Sequence, residues 1–234
     1  MMAPKKLVSH RSAPGLDLPD CRPRLPRVFL LSPANMGAIR GQLLLNGSSA
    51  SELAQRIRGQ GAPLGEVFTF ISSLYFRGKL AYAEGFSNPP AGLPGTLILT
   101  SSRGLLPPET VVTLDDLREM SAVPIEPGDA RYREPLRRDA HALACRLPTG
   151  SKVVLLGSIA SRKYVDPLLD VFGAILLFPQ EFVGRGDMSR GGLMLRCAEA
   201  QRELEYVLVD SAVRRGPRPA KLSPSKGARE TVEP

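Results

Sequence analysis

At 234 residues, 43% apolar and 23% charged, the chain is long enough for one sizeable core and has the composition of an ordinary soluble globular protein. Its three cysteines form no CxxC pair and it has two histidines, so a zinc site or a disulfide framework is not expected. The net charge of +8 sits at the ends: residues 1–27 and 212–234 each hold six Lys or Arg against two acidic residues, and the stretch between them balances at nineteen of each.

In the first segment Pro4, Pro14, Pro19, Pro23 and Pro26 interrupt any periodicity, so residues 1–27 read as a disordered basic leader. Val28-Phe29-Leu30-Leu31 is a short apolar run ending at Ser32-Pro33, the pattern of a buried parallel strand. Ser49-Ala50-Ser51-Glu52 offers a capping box for a short helix through Arg58. Phe68, Ile71, Leu74, Tyr75 and Tyr82 recur at helical spacing, which predicts a long helix over residues 65–86 despite Gly78. Tyr75 and Tyr82 share one face of it and read as core, while Arg77 and Lys79 lie off that face and read as solvated. Strands follow at residues 96–100, 152–156, 174–178 and 204–209, with helices beginning at Thr113, Tyr132, Ser161 and Ser189. After residue 211, Pro217, Pro219 and Pro224 break a run of Arg, Lys and Ser, which reads as a disordered basic tail. The whole predicts a single α/β domain over residues 28–211: three layers around a mainly parallel sheet of about five strands.

In such folds the ligand crevice lies beyond the carboxyl ends of the strands. Ser32 to Asn35, Ser101-Ser102-Arg103, Ser158 with Lys163 and Tyr164, and the loop Gly184-Arg185-Gly186-Asp187-Met188-Ser189-Arg190 all follow apolar runs. Hydroxyls and small residues recur at all four places, which suits one shared pocket, although each alone is ordinary turn chemistry. A helix beginning at Ser189 would point free N–H groups, with Arg185 and Arg190, at one anion. The plain alternative is a strand-to-helix turn with solvated charges.

Taken in order, these segments resemble the bacterial YaaA family, named for a peroxide-stress protein. Leu31-Ser32-Pro33-Ala34 matches its opening strand and Ser-Pro-Ala element, and Ser101-Ser102-Arg103-Gly104-Leu105-Leu106-Pro107-Pro108 echoes a second segment. Val153 to Tyr164 matches a strand, small-residue turn and tyrosine, and Arg185 to Arg190 is similar to an Arg-Gly-Leu-Met-Ser-Arg segment. The matched order spans roughly residues 28–202, with two departures: Asp187 stands where the family has an apolar residue, and Gly191-Gly192 follow Arg190. Leu74 to Tyr82 and Gly104-Leu105-Leu106 are also similar to a broader set of α/β domains, some associated with modified-nucleobase systems. The resemblance implies DNA binding and protection from oxidative damage, with no established catalytic residues to carry over.

Three readings stay open. The first is a protein that binds nucleic acid or a nucleotide-like phosphorylated ligand through the 184–192 loop. The second is an enzyme acting on a nucleobase or nucleotide glycosidic bond, with Asp187 as acid, base or nucleophile. The third is a noncatalytic interaction module that works through its basic tails. No P-loop and no GxGxxG after the first strand support an NTPase or dinucleotide site, and no cofactor is expected. Cys145 and His141 stand four apart without an oxyanion donor in view. No apolar stretch reaches the length of a membrane span and the amino terminus has no apolar signal core, so the expected location is cytoplasmic.

Overall fold

The computed structural model of the protein describes residues 25–220 and 222. The expectations for residues 1–24 and 223–234 lie outside these. The elements in chain order are β1 (Arg27–Leu31), α1 (Ile39–Leu45), α2 (Glu52–Arg58), β2 (Ala62–Pro63), α3 (Leu64–Phe86), β3 (Thr96–Leu99), β4 (Leu105–Leu106) and β5 (Val111–Val112). They continue with α4 (Leu114–Ala122), α5 (Ala130–Ala144), β6 (Lys152–Leu156), α6 (Arg162–Phe172), β7 (Leu176–Pro179), α7 (Asp187–Glu199) and β8 (Tyr206–Leu208).

The main sheet has six strands in the order β4-β3-β1-β6-β7-β8. The four central strands β3, β1, β6 and β7 are mutually parallel, and the edges β4 and β8 are antiparallel. The expected count of about five is thus exceeded by β4, a two-residue return of the chain after Gly104, which adopts φ 65°. Strands buried on both faces need continuous apolar runs, and Val28 to Leu31 and Val153 to Leu156 have no measurable exposure.

The chain moves from β1 to β3 in one direction across the sheet and from β6 to β7 in the other. Right-handed crossovers therefore put α3 on one face and α6 on the opposite face. Each has a helical neighbour: α7 packs on α3, and α5 packs on α6. That is the expected three-layer α/β fold. The direction reverses between β1 and β6, so the crevice at the carboxyl ends of these strands is where a doubly wound sheet opens.

Helix boundaries follow local chemistry. Ser51, rather than Ser49, caps α2 by accepting from Ala54 N, and Thr113 and Asp116 form a reciprocal capping box on α4. The helix α3 is broken at Ser73, which adopts φ 45° and ψ −120°, a conformation costly for any residue with a side chain. Beyond the break α3 meets α7 backbone to backbone. A Cβ at Gly78 would stand 2.6 Å from the Gly191 carbonyl oxygen, and one at Gly191 would stand 2.6 Å from that of Leu74. Gly191, placed by the sequence reading both in the anion-holding 184–192 segment and in the helix beginning at Ser189, sits inside that helix and permits this approach.

Residues 213–220, placed with the basic tail by the sequence, lie partly against the loop after β7: a Cβ on Gly184 would collide with the Pro217 carbonyl, and one on Gly216 with Val183. Among the described residues no helix is long and apolar enough to cross a membrane.

Candidate functional site

A cavity of about 510 Å³ opens beyond the carboxyl ends of β1, β3 and β6. Its size is that of a small-molecule site. Of the residues expected from the sequence, Ser32, Asn35, Ser101, Ser158, Lys163, Tyr164 and Asp187 line it. They come from four separate chain segments, brought together because parallel strands deliver their following turns to one end of the sheet.

The remaining expected residues do not line it, and each has a physical reason. The Ser102 hydroxyl donates to Glu119 at 2.9 Å, and Arg103 pairs with both Asp116 and Glu119, so this turn is tied outward to α4. Gly186, not Ser189, occupies the N-cap of α7, because the helix starts two residues earlier than expected. Gly184 has φ 73° and serves the turn before it. Arg185 donates through Nε to the Glu181 carbonyl at 2.9 Å and through Nη1 to the Ser189 hydroxyl at 3.2 Å. Arg190 is buried, with Nε and Nη2 both donating to the Phe182 carbonyl and its guanidinium over the Phe182 ring. The two arginines therefore do not converge on one anion; Arg185 and Arg190 bind the backbone of the preceding loop instead.

Asp187 is what this loop gives the cavity. It is the first residue of α7, where backbone N–H groups favour a negative charge, and its carboxylate stands 3.8 Å from Arg190 with 68% of the side chain exposed. Across the cavity, the Lys163 ammonium lies over the Tyr164 ring at 5.0 Å, and Tyr132 holds the Lys163 carbonyl by a 2.8 Å hydrogen bond. Burial, reinforced by Tyr75 and Asp187, pushes the Tyr164 hydroxyl well above its ordinary pKa. Phe68, Met36, Met120, Val123 and Ile125 supply apolar wall between these polar groups.

A buried polar contact behind Ser32 departs from the sequence reading. Lys79, read from the sequence as solvated, is 1% exposed and donates to both the carbonyl and the hydroxyl of Ser32, each at 2.8 Å. Its ammonium lies over the Tyr75 ring, 4.0 Å from the centroid. Burial brings its pKa down to about 7, against a partial restoring pull from Asp187 and a further lowering by Arg190. Tyr75 also lines the cavity, and its hydroxyl is buried with no hydrogen-bond partner among the described residues. Burial pushes that hydroxyl up to about 12; Arg190 and Ser32 lie close enough to oppose the shift without forming a bond of good geometry. The break at Ser73 falls between Ser72 and Tyr75, both in the cavity wall. One signal in the sequence bore on Lys79: it stands four residues after Tyr75 and three before Tyr82, on the arc of the helix that those buried rings define.

Among the described residues, no group of His, Cys, Asp and Glu could hold a metal ion. In comparisons of the chain with family models, with curated proteins and with solved structures, no match is found.

Proposed function

We propose that the protein binds a small nucleotide-like ligand in the cavity at the carboxyl ends of β1, β3 and β6. The observation that carries this reading is the composition of the wall: apolar and aromatic surface from Phe68, Met120 and Tyr164 beside hydroxyl, amide, carboxylate and one ammonium group. An aromatic base needs the first, ribose hydroxyls suit the Asp187 carboxylate as acceptor, and a phosphate suits Lys163. A concave site of this volume favours a monomeric ligand over a duplex, so a nucleic acid would have to present a single end or an unstacked base. The motif resemblance to the YaaA family and to domains of modified-nucleobase systems points toward the same ligand chemistry. A role in DNA protection and a cytoplasmic location belong with this proposal.

A second reading, an enzyme acting on a glycosidic bond, is favoured by one observation: of the charged residues in the 184–192 loop, it is Asp187 and not an arginine that reaches the cavity. A thermal-shift panel of nucleosides and their monophosphates tests the binding proposal. Selective stabilisation is expected, with Lys163→Ala removing the preference for the phosphorylated member of each pair; no stabilisation by any member rejects the ligand class. Asp187→Asn divides the two readings. It abolishes turnover with binding retained if Asp187 acts in chemistry, and it preserves or strengthens phosphate binding if it does not.

A further inference from the structure

The buried contact between Ser32 and Lys79 supports an activity beyond binding. Ser32 follows the carboxyl end of β1, and its backbone is fixed by donation from its N–H to the Leu156 carbonyl at 3.1 Å. Its side chain occupies space that only a glycine at position 157 leaves free: a Cβ there would stand 2.9 Å from Ser32 Cβ and 3.1 Å from its hydroxyl oxygen. Ser32 lines the cavity, and its hydroxyl oxygen lies 2.8 Å from the Lys79 amine. A nucleophile within hydrogen-bond reach of a base that is itself held by a third group is the general arrangement for covalent catalysis by serine. Here the third group is the Ser32 carbonyl, which accepts from the same amine at 2.8 Å.

We propose that Ser32 and Lys79 form a nucleophile–base pair that cleaves the ester or amide bond of an acyl group on a small molecule bound in the cavity, with Tyr75 donating to the carbonyl oxygen. The proposal rests on the reading of this cavity as the small-molecule site. Lys79 is placed to act as base because burial holds its amine near neutrality at about pH 7, far below an ordinary lysine. The charged and titratable groups that face it are Asp187 and Arg190 from α7, which act on it with opposite sign, and Tyr75 from its own helix. In the neutral amine one N–H still donates to the Ser32 carbonyl while the lone pair accepts from the Ser32 hydroxyl. The Ser32 oxygen then bonds to the carbonyl carbon, and its proton passes to Lys79 Nζ. The bond to the leaving oxygen or nitrogen breaks, and that atom takes the proton from Lys79. Water next attacks the acyl-serine, giving its proton to Lys79; the serine oxygen recovers one and the acid is released. Negative charge on the carbonyl oxygen needs a donor already in place, and the Tyr75 hydroxyl is a buried donor with no hydrogen-bond partner among the described residues.

The test uses the full chain with p-nitrophenyl acetate, following nitrophenolate release and locating the acetyl group by peptide mass spectrometry. Acetylation is expected at Ser32, with a rate that climbs to a plateau around an inflection near pH 7. Lys79→Met, which replaces the amine by apolar volume, is expected to lower that rate roughly a hundredfold or more. Tyr75→Phe keeps the packing and is expected to lower it roughly a hundredfold as well. Should Lys79→Met fail to fold, the pH profile of the unaltered protein and the Tyr75→Phe rate still decide. No acetyl group at Ser32, a rate independent of pH across this range, or an unchanged rate in a folded Lys79→Met protein overturns the proposal. Nucleoside stabilisation of Ser32→Ala alongside an unacetylated parent protein rejects the pair and leaves the ligand reading standing. Acetylation at Ser32 with no nucleoside or nucleotide stabilising the protein does the reverse.

Discussion

Two regions behind the cavity treat their charges in opposite ways. Where α7 crosses α3, Lys79 and Arg190 are buried and held by the backbone carbonyls of Ser32 and Phe182, with the Asp187 carboxylate 3.8 Å from Arg190. Where the chain leaves β3, Arg103 is held between Asp116 and Glu119 in contact with solvent. The first arrangement fixes its charges at the cost of desolvation. The second satisfies them cheaply and leaves little stability depending on them.

The sharpest way to break this contrast is Gly191→Ala. The added methyl meets the Leu74 carbonyl oxygen and the Tyr75 Cα, which are backbone and cannot swing aside, so the helices must separate. A loss of about 3 kcal/mol is expected in chemical denaturation, with the cavity distorted at Tyr75. A loss under about 0.5 kcal/mol would mean that the junction is more yielding than its geometry indicates.

A smaller effect comes from the Lys79 amine. Its pKa in the folded chain, about 7, lies below the ordinary 10.5, so between these values the unfolded chain holds a proton that the folded chain lacks. Stability should therefore rise with pH from about 7 toward 10, by up to about 1.4 kcal/mol per pH unit. Above pH 10 the buried tyrosines Tyr75 and Tyr82, both raised to about 12, act in the opposite sense and end the rise. Denaturant midpoints measured across that range should lose their slope in Lys79→Met; a slope that persists would assign it to another group.

The smallest effect is expected for Arg103→Ala. Its partners are between a quarter and half exposed, and an exposed pair contributes roughly 0.2–1 kcal/mol. The hydrogen bond from Arg103 is the leading cause of the lowered pKa of Glu119, which contributes stability that is lost as pH falls through the acid range. The variant should consequently show a shallower loss between about pH 5 and 3 as well as a slight loss at neutrality. Destabilisation as large as that of Gly191→Ala would erase the distinction between the two regions.

The sequence disclosed the frame more readily than the site. Strand runs such as Val153 to Leu156 are apolar throughout, and burial on both faces of a sheet requires that pattern, so alternation of strands and helices could be followed residue by residue. The turns after β1, β3 and β6 were found by the same logic, since a parallel sheet must deliver them to one end. What the sequence hid depends on contacts between distant segments. Gly191 reads as part of an anion site until Leu74 is seen against it, and Lys79 reads as solvated until α7 covers it. The arginines of the 184–192 loop misled because their backbone acceptors, the carbonyls of Glu181 and Phe182, carry no sequence signature. The break at Ser73 likewise has no local cause in residue type, since serine is a poor choice for a positive φ.

The edges of the sheet bear on how the protein behaves in company. The parallel strands at its centre end outward in β4, two residues long, and β8, three residues long, each antiparallel to its neighbour. A strand from another molecule would find at most two or three residues of open backbone to extend on either side, and so almost no ladder to register against. Among the described residues, the edges of the main sheet thus give growth along its hydrogen-bonding direction little to build on.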